Sequence, residues 1–359
     1  VDRTTRELIS QTPKGMFDAC EALLADQVAP EFLQSQIEVG TRVCSTMDEA
    51  RQELVRLRST VAGVAEEHGL AIIAASTHPF AHASKQQPTR RERYQALADD
   101  LQAVVRRLII SGMHVHVGIE DDDLRIDLMA QTAYIAPHLL ALSTSSPFWN
   151  GEPTGLRSYR LAVWDEMPRT GLPEEFTSYR EYQRHVDVLV NAGVIEDATK
   201  VWWDLRPSAR FPTIEMRICD VCTRLDDALA IAALYRCWLR MLFRLRERNQ
   251  RWRLYSQLLV GENRWRAHRY GMDKGLIDFG RGSITPFADL LDEMLALTQE
   301  DAAFFGCESY TEHCRTILER GSSSHRQMSV YEQAIAGGAE REEALRAVVD
   351  QLIADTREG

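Results

Sequence analysis

Three short segments set polar side chains of one chemical kind on one face of a strand. In "MHVHVGI", His114, His116 and Gly118 alternate with Met113, Val115, Val117 and Ile119. In "IEMRICD", Glu215, Arg217 and Cys219 alternate with Ile214, Met216 and Ile218. In "FLQSQIEVG", Gln34, Gln36 and Glu38 oppose Leu33, Ile37 and Val39. Side chains two apart on a strand share a face, so each segment offers one apolar face to a core and one working face. Gln, Glu, His and Arg are the types that coordinate hard cations, grip phosphate or hold a carboxylate. Carboxylates with one imidazole suit Mg²⁺ or Mn²⁺, and Glu38 and Glu215 each lower the local potential for a cation. Arg217, two residues from Glu215, is placed to reach a phosphoryl group that the cation also binds, a pairing that phosphoryl transfer requires.

Neither a GxxxxGK[ST] nor a GxGxxG motif occurs, so neither a P-loop nor a Rossmann site is offered. The run Glu120–Asp123 after the histidine strand reads as a helix start, where the macrodipole favours acids. Trp202, Trp203 and Trp265 read as packing residues. The Gly/Pro/Ser-rich stretch "SSPFWNGEPTGLRSYR" carries Arg157 and Arg160 and reads as a loop able to bring them over an anion.

The elements that must position these residues follow from periodicity. Thr46-x-x-Glu49 is a capping box before a long amphipathic helix that Gly69 stops. Thr89-x-x-Glu92 opens another, "RRERYQALADDLQAVVRRL", and further helices are predicted over 121–142, 178–190, 223–247 and beyond Pro286. Strands are predicted within 32–41, 69–80, 113–120, 159–166, 201–208 and 213–221. Without repeats or a linker, the chain reads as one α+β domain over 1–359, with a sheet core over about 30–285 and a helical part over about 286–359.

Bulk composition bounds the task. The net charge of −11 argues against nucleic acid or an anionic membrane as partner. The seven cysteines lack zinc-site spacing and read as reduced thiols, and no apolar run is long enough to span a membrane. No signal peptide is visible, and a cytoplasmic location is expected.

The segments "FLQSQIEVGT", "STHPF", "GMHVHVGIEDDDLRIDLMAQ", "LLALSTSSPFWNGEPTGLRSYR", "WWDLRPSARFPTIEMRICDVCTRLDD" and "GENRWRAHRYG" together resemble the type 2 glutamate–cysteine ligase family, the YbdK-type carboxylate–amine ligases. The resemblance implies a glutamine-synthetase-like catalytic fold, a curved, mainly antiparallel sheet forming a funnel backed by helices. It implies ATP and Mg²⁺ (or Mn²⁺) as cofactors, and activation of the γ-carboxylate of glutamate as an acyl phosphate that cysteine or another amine attacks. By the same resemblance Glu38, His114 and Glu215 are metal ligands and Arg217 contacts the γ-phosphate. Gln36, Arg157 and Arg160 are expected at the substrates, and Arg206 and His116 at the nucleotide. Asp220 falls on the face opposite Glu215 under strict alternation, so any role for it needs a bulge or a strand end. Family members begin with a strand rich in metal-binding glutamates, and "VDRTTRELIS" resembles the residues just after it. Two rival readings are a phosphagen-kinase-like phosphotransferase and a non-catalytic binding protein on the same fold. The apolar helix 223–247 and the Trp-rich segments leave room for a homodimer.

Overall fold

The strand Thr213–Met216 is the middle of a three-stranded antiparallel sheet, flanked by Val115–Gly118 on one side and Leu205–Pro207 on the other. The computed structural model describes residues 1–89, 102 and 107–358, so the helix predicted from Thr89 falls mainly outside the described residues. Met113, Val115, Val117 and Ile119 pack on a core that also takes in Leu205, Ile214, Met216 and Ile218. The alternation read in the sequence therefore operates: one face is spent on the core, and the other carries the polar residues.

That core is closed by the helix Leu225–Glu247, which buries most of its residues, including Tyr235 and Trp238, and keeps Arg236, Arg240 and Arg244 along its less buried side. A helix with so broad an apolar face packs inward. It packs against Met47–Glu67, Asp122–Thr132, Ala136–Ser143, Phe287–Phe305 and Glu308–Arg320. Most of the apolar surface of this helix is thus taken up within the chain. Beyond it, Ser323–Ala336 and Arg341–Glu358 pair with each other to complete the helical C-terminal part.

Local capping explains where several helices begin. Thr46 accepts from the Glu49 N–H, and the Glu49 carboxylate reaches back to the Ser45 N–H. Ser178 accepts from Glu181 N–H, and Asp121 from Leu124 N–H. The acids after the histidine strand are architecture: Asp121 caps, Asp122 pairs with Arg125, and Asp123 accepts from the Tyr179 N–H.

Several elements differ from expectation. The helix predicted over 121–142 is two helices, because Pro137 has no N–H to continue a helix and sits instead in the first turn of the second. The segment 159–166, predicted as a strand, folds as the helix Tyr159–Trp164, burying Arg160, Leu161 and Val163. Over six residues an apolar pattern fits either period. The segment 69–80 carries only an isolated bridge, Leu70 with Asp2. The remaining described strands form two-stranded sheets: 28–30 with 37–39, 148–149 with 152–153, 276–278 with 283–285, and the parallel pair 170–171 with 202–203.

Candidate active site

Glu215 is the centre of a polar row that runs across all three strands. His116 lies opposite it on one side and Arg206 on the other. Arg206 Nε donates to Glu215 Oε2 at 2.7 Å, and Arg217 Nη1 donates to Oε1. His114 Nδ1 stands 3.5 Å from Oε1 and 3.4 Å from Arg217 Nη1, and His116 Nε2 stands 3.8 Å from Oε1. Arg206 is anchored in turn by the carbonyls of Thr199 and Val201. Five of the sequence-predicted residues are therefore brought together: His114, His116, Arg206, Glu215 and Arg217.

The charge states follow from burial and neighbours. Glu215 is 3% exposed. Burial alone would raise its pKa, but Arg217 and then Arg206 overcome this and hold it at about 2. Burial brings Arg217 down to about 10, so it stays charged at neutral pH. The protein packed around His114 and the adjacent Arg217 push that imidazole well below its usual range. His116 is lowered by desolvation and by Arg206 and Arg217. Two guanidiniums against one carboxylate and two neutral imidazoles leave the cluster positive. Arg217 Nε is buried with no acceptor among the described residues.

The peptides of Arg217 and Ile218 leave the regular ladder here. Both their N–H groups donate to one carbonyl, that of Asp204, at 2.8 and 3.2 Å, the hydrogen-bond signature of a β-bulge. Their carbonyls accept from Arg160 Nη2 and Nη1, each at 3.0 Å. The ring of Trp164 lies 5.8 Å from both the Arg160 and the Arg217 guanidinium carbons. The bulge breaks the alternation that set Asp220 apart from Glu215. Asp220 is fully buried and accepts from Ser145 N–H and the hydroxyls of Ser146 and Ser158, with Arg160 at 3.9 Å.

The other expected residues have different hydrogen-bond partners. Arg160, expected over the substrate, points inward and is 2% exposed. Its guanidinium serves main-chain carbonyls that would otherwise be left unpaired. Arg157 pairs with Asp273 at 2.7 Å, on whose other oxygen His325 Nε2 sits at 3.0 Å. Gln36 Nε2 donates to Ile110 O and Ser111 Oγ, fastening the 37–39 strand to the segment that leads into the histidine strand. Glu38 stands on the separate 28–30/37–39 sheet, opposite Ala29. No group of three or more His, Cys, Asp or Glu poised for a metal, the expected triad of Glu38, His114 and Glu215 included, occurs among the described residues. With both Glu215 oxygens already accepting from guanidiniums, this donor set suits a polyanion better than a bare divalent cation. Cys219 is buried, and burial pushes its thiol up to about 12, so it is no nucleophile.

The sequence reading missed Asp204, Asp165 and Arg264. Arg264 forks between the two carboxylates, at 2.6 Å to Asp204 Oδ2 and 2.7 Å to Asp165 Oδ2. The partners are 60 and 99 residues away, beyond any local pattern.

The model of glutamate–cysteine ligase family 2 (GCS2) matches residues 1–351. The chain belongs to glutamate–cysteine ligase family 2. As a member of that family it is an amide-forming ligase. A relative from Rhodospirillum rubrum bearing the name "Putative glutamate–cysteine ligase 2" is 61% identical over 360 residues, covering 99% of this chain and 92% of its own. One of the same name from Jannaschia sp. is 52% identical, covering 99% of this chain and 93% of its own. Among solved structures, a bifunctional glutathione synthetase from Pasteurella multocida aligns with TM-score 0.68 at 14% identity, over 99% of this chain and 51% of that one. A glutamate–cysteine ligase from Francisella tularensis, in complex with AMP, aligns with TM-score 0.64 at 14% identity, over 98% and 85%. At that identity the likeness speaks for the fold of this family 2 ligase. No helix among its described residues is long and apolar enough to cross a membrane.

Proposed function

We propose that this ligase is a cytoplasmic ATP-dependent enzyme of one domain, its small sheets lining a funnel, that joins the γ-carboxylate of glutamate to the amine of cysteine. The observation that carries the reading is the positive cluster on the working face of the sheet: Arg206 and Arg217 share one carboxylate, and a buried Arg217 N–H lacks an acceptor among the described residues. Two buried guanidiniums against a single carboxylate leave a net positive charge that an anionic partner balances. The terminal phosphate of ATP supplies one, and guanidiniums stabilise the charge that develops as that phosphoryl group transfers to the carboxylate. Glu215 fixes both guanidiniums in place, and neutral His114 and His116 offer acceptor nitrogens at the same spot. Mg²⁺ or Mn²⁺ belongs to this reading as a companion of the nucleotide phosphates.

The test is ADP release by the full-length protein with ATP, Mg²⁺ and glutamate, with and without cysteine and a panel of other amines. Cysteine-stimulated ADP release with γ-glutamylcysteine as product supports the reading. A phosphorylated amine without an amide product points to the phosphotransferase instead. Folded protein without turnover or nucleotide binding leaves the non-catalytic reading standing.

A further inference from the structure

We infer that Arg264 is a positioning residue for the reaction, holding Arg217 in place by clasping the two elements that grip the bulge at 217–218. The inference rests on the role proposed for Arg217. One element is Asp204, whose carbonyl takes both bulge N–H groups and whose own N–H donates to Gly171 O at 2.7 Å. The other is the helix Tyr159–Trp164, whose Arg160 takes both bulge carbonyls and whose Trp164 lies against the Arg217 guanidinium. Asp204 is 1% exposed, and Asp165 caps the C-terminus of that helix. Arg264 binds both: Nε and Nη2 to Asp204 at 2.6 and 3.1 Å, and Nη1 and Nη2 to Asp165 at 2.7 and 2.8 Å.

Every guanidinium nitrogen is thereby used on a carboxylate, and none reaches Glu215, His114 or Arg217 itself. The planar fork matches two carboxylates at once, a geometry that a lysine ammonium cannot reproduce. Asp204 has no slack, because its N–H, carbonyl and carboxylate are all engaged. A shift of Asp204 relative to the helix therefore moves the peptide that carries Arg217. Displacements on the order of 1 Å cost about a hundredfold in rate where a reacting group is held by orientation.

The test is a double-mutant cycle in the full-length chain with Arg264→Lys and Arg217→Lys, reading kcat and KM for ATP by ADP release. The ratio of affinities for ATPγS and ADP is measured alongside and needs no amine substrate. The expected result is a loss of about tenfold or more in kcat for Arg264→Lys, with a weakened preference for ATPγS over ADP. In the Arg217→Lys background the same change should cost less than about twofold, since there is no longer a placed guanidinium to lose. A merely structural role predicts equal factors in both backgrounds and an unmoved ATPγS/ADP ratio, and that outcome overturns the inference. Should Arg264→Lys fail to fold, Asp165→Asn replaces it in the same cycle, releasing only the helix side of the clasp. Full turnover in Arg217→Lys and Arg217→Ala would overturn the role of Arg217 and this inference with it. Loss in both, with equal Arg264→Lys factors, overturns the inference alone.

Discussion

Arg206 stands directly opposite Glu215 across the sheet and donates to one of its carboxylate oxygens at 2.7 Å, while Arg217, just past the end of Glu215's strand, donates to the other. A carboxylate gripped at both oxygens keeps one orientation, and it holds the two guanidiniums apart at a set spacing. This ion group has structure as its first consequence, since a buried charge without its partners is costly. Its second consequence is preorganisation, as the positive groups need no rearrangement when an anion arrives.

Arg217→Ala should lower kcat for ADP release by about a hundred- to a thousandfold, the usual cost of removing one preorganised donor to developing charge. Arg157→Ala should change kcat by far less, because that guanidinium is committed to Asp273 and not to Glu215. Steady-state kinetics on folded variants check both. Comparable losses at the two positions would sink the assignment.

Glu215 carries a pKa of about 2 in the folded chain against 4.5 for the ordinary carboxyl. A depressed carboxylate stabilises the fold above its unfolded pKa, and that contribution is lost as pH falls through the folded value. The window is therefore pH 4.5 down to 2, and the total is on the order of 3 kcal/mol. Chemical unfolding across that range should show wild-type stability falling with pH and a shallower dependence in Glu215→Gln. Parallel curves would contradict it.

His78, His138 and His268 are buried, and desolvation lowers them to about 3, 4 and 4. In the unfolded chain each takes up a proton near pH 6.5, whereas the folded chain keeps it neutral. Stability is thus fully present above pH 6.5 and declines as pH falls toward 4, by roughly 1.4 kcal/mol per pH unit for each histidine. His78 shows why: Phe80 N–H donates to its Nδ1 while its Nε2 bonds the Arg6 carbonyl, which leaves no site for a second proton. His78→Gln should flatten the slope between about pH 6.5 and 4.5 in urea titrations, and an unchanged slope would tell against the buried neutral state.

Gly112→Ala should destabilise the chain by about 1–3 kcal/mol and lower kcat as well. A Cβ at 112 would sit 2.4 Å from Arg160 Nη2 and 2.8 Å from its Cζ. That guanidinium cannot swing aside without abandoning the carbonyls of Arg217 and Ile218. Thermal unfolding together with kinetics tests this, and a Gly112→Ala variant with wild-type values in both would show that Arg160 has room.

The sequence alone determined the features that depend on neighbours along the chain. Alternation put Glu215 with Arg217, and His114 with His116, on one strand face, since backbone pleating enforces a period of two. Capping fixed the helix starts at Thr46, Asp121 and Ser178, because each side-chain oxygen satisfies an N–H only three residues away. Only the tertiary structure decided the register that sets His116 and Arg206 opposite Glu215, the bulge at 217–218, and the partners of the arginines. Arg160, Arg157 and Arg264 are alike in composition, yet one holds main-chain carbonyls, one pairs at a half-exposed aspartate, and one joins two carboxylates. A buried guanidinium is stable only where other elements deliver acceptors. Those acceptors come from up to 116 residues away, so local pattern carries no trace of which arginine meets which.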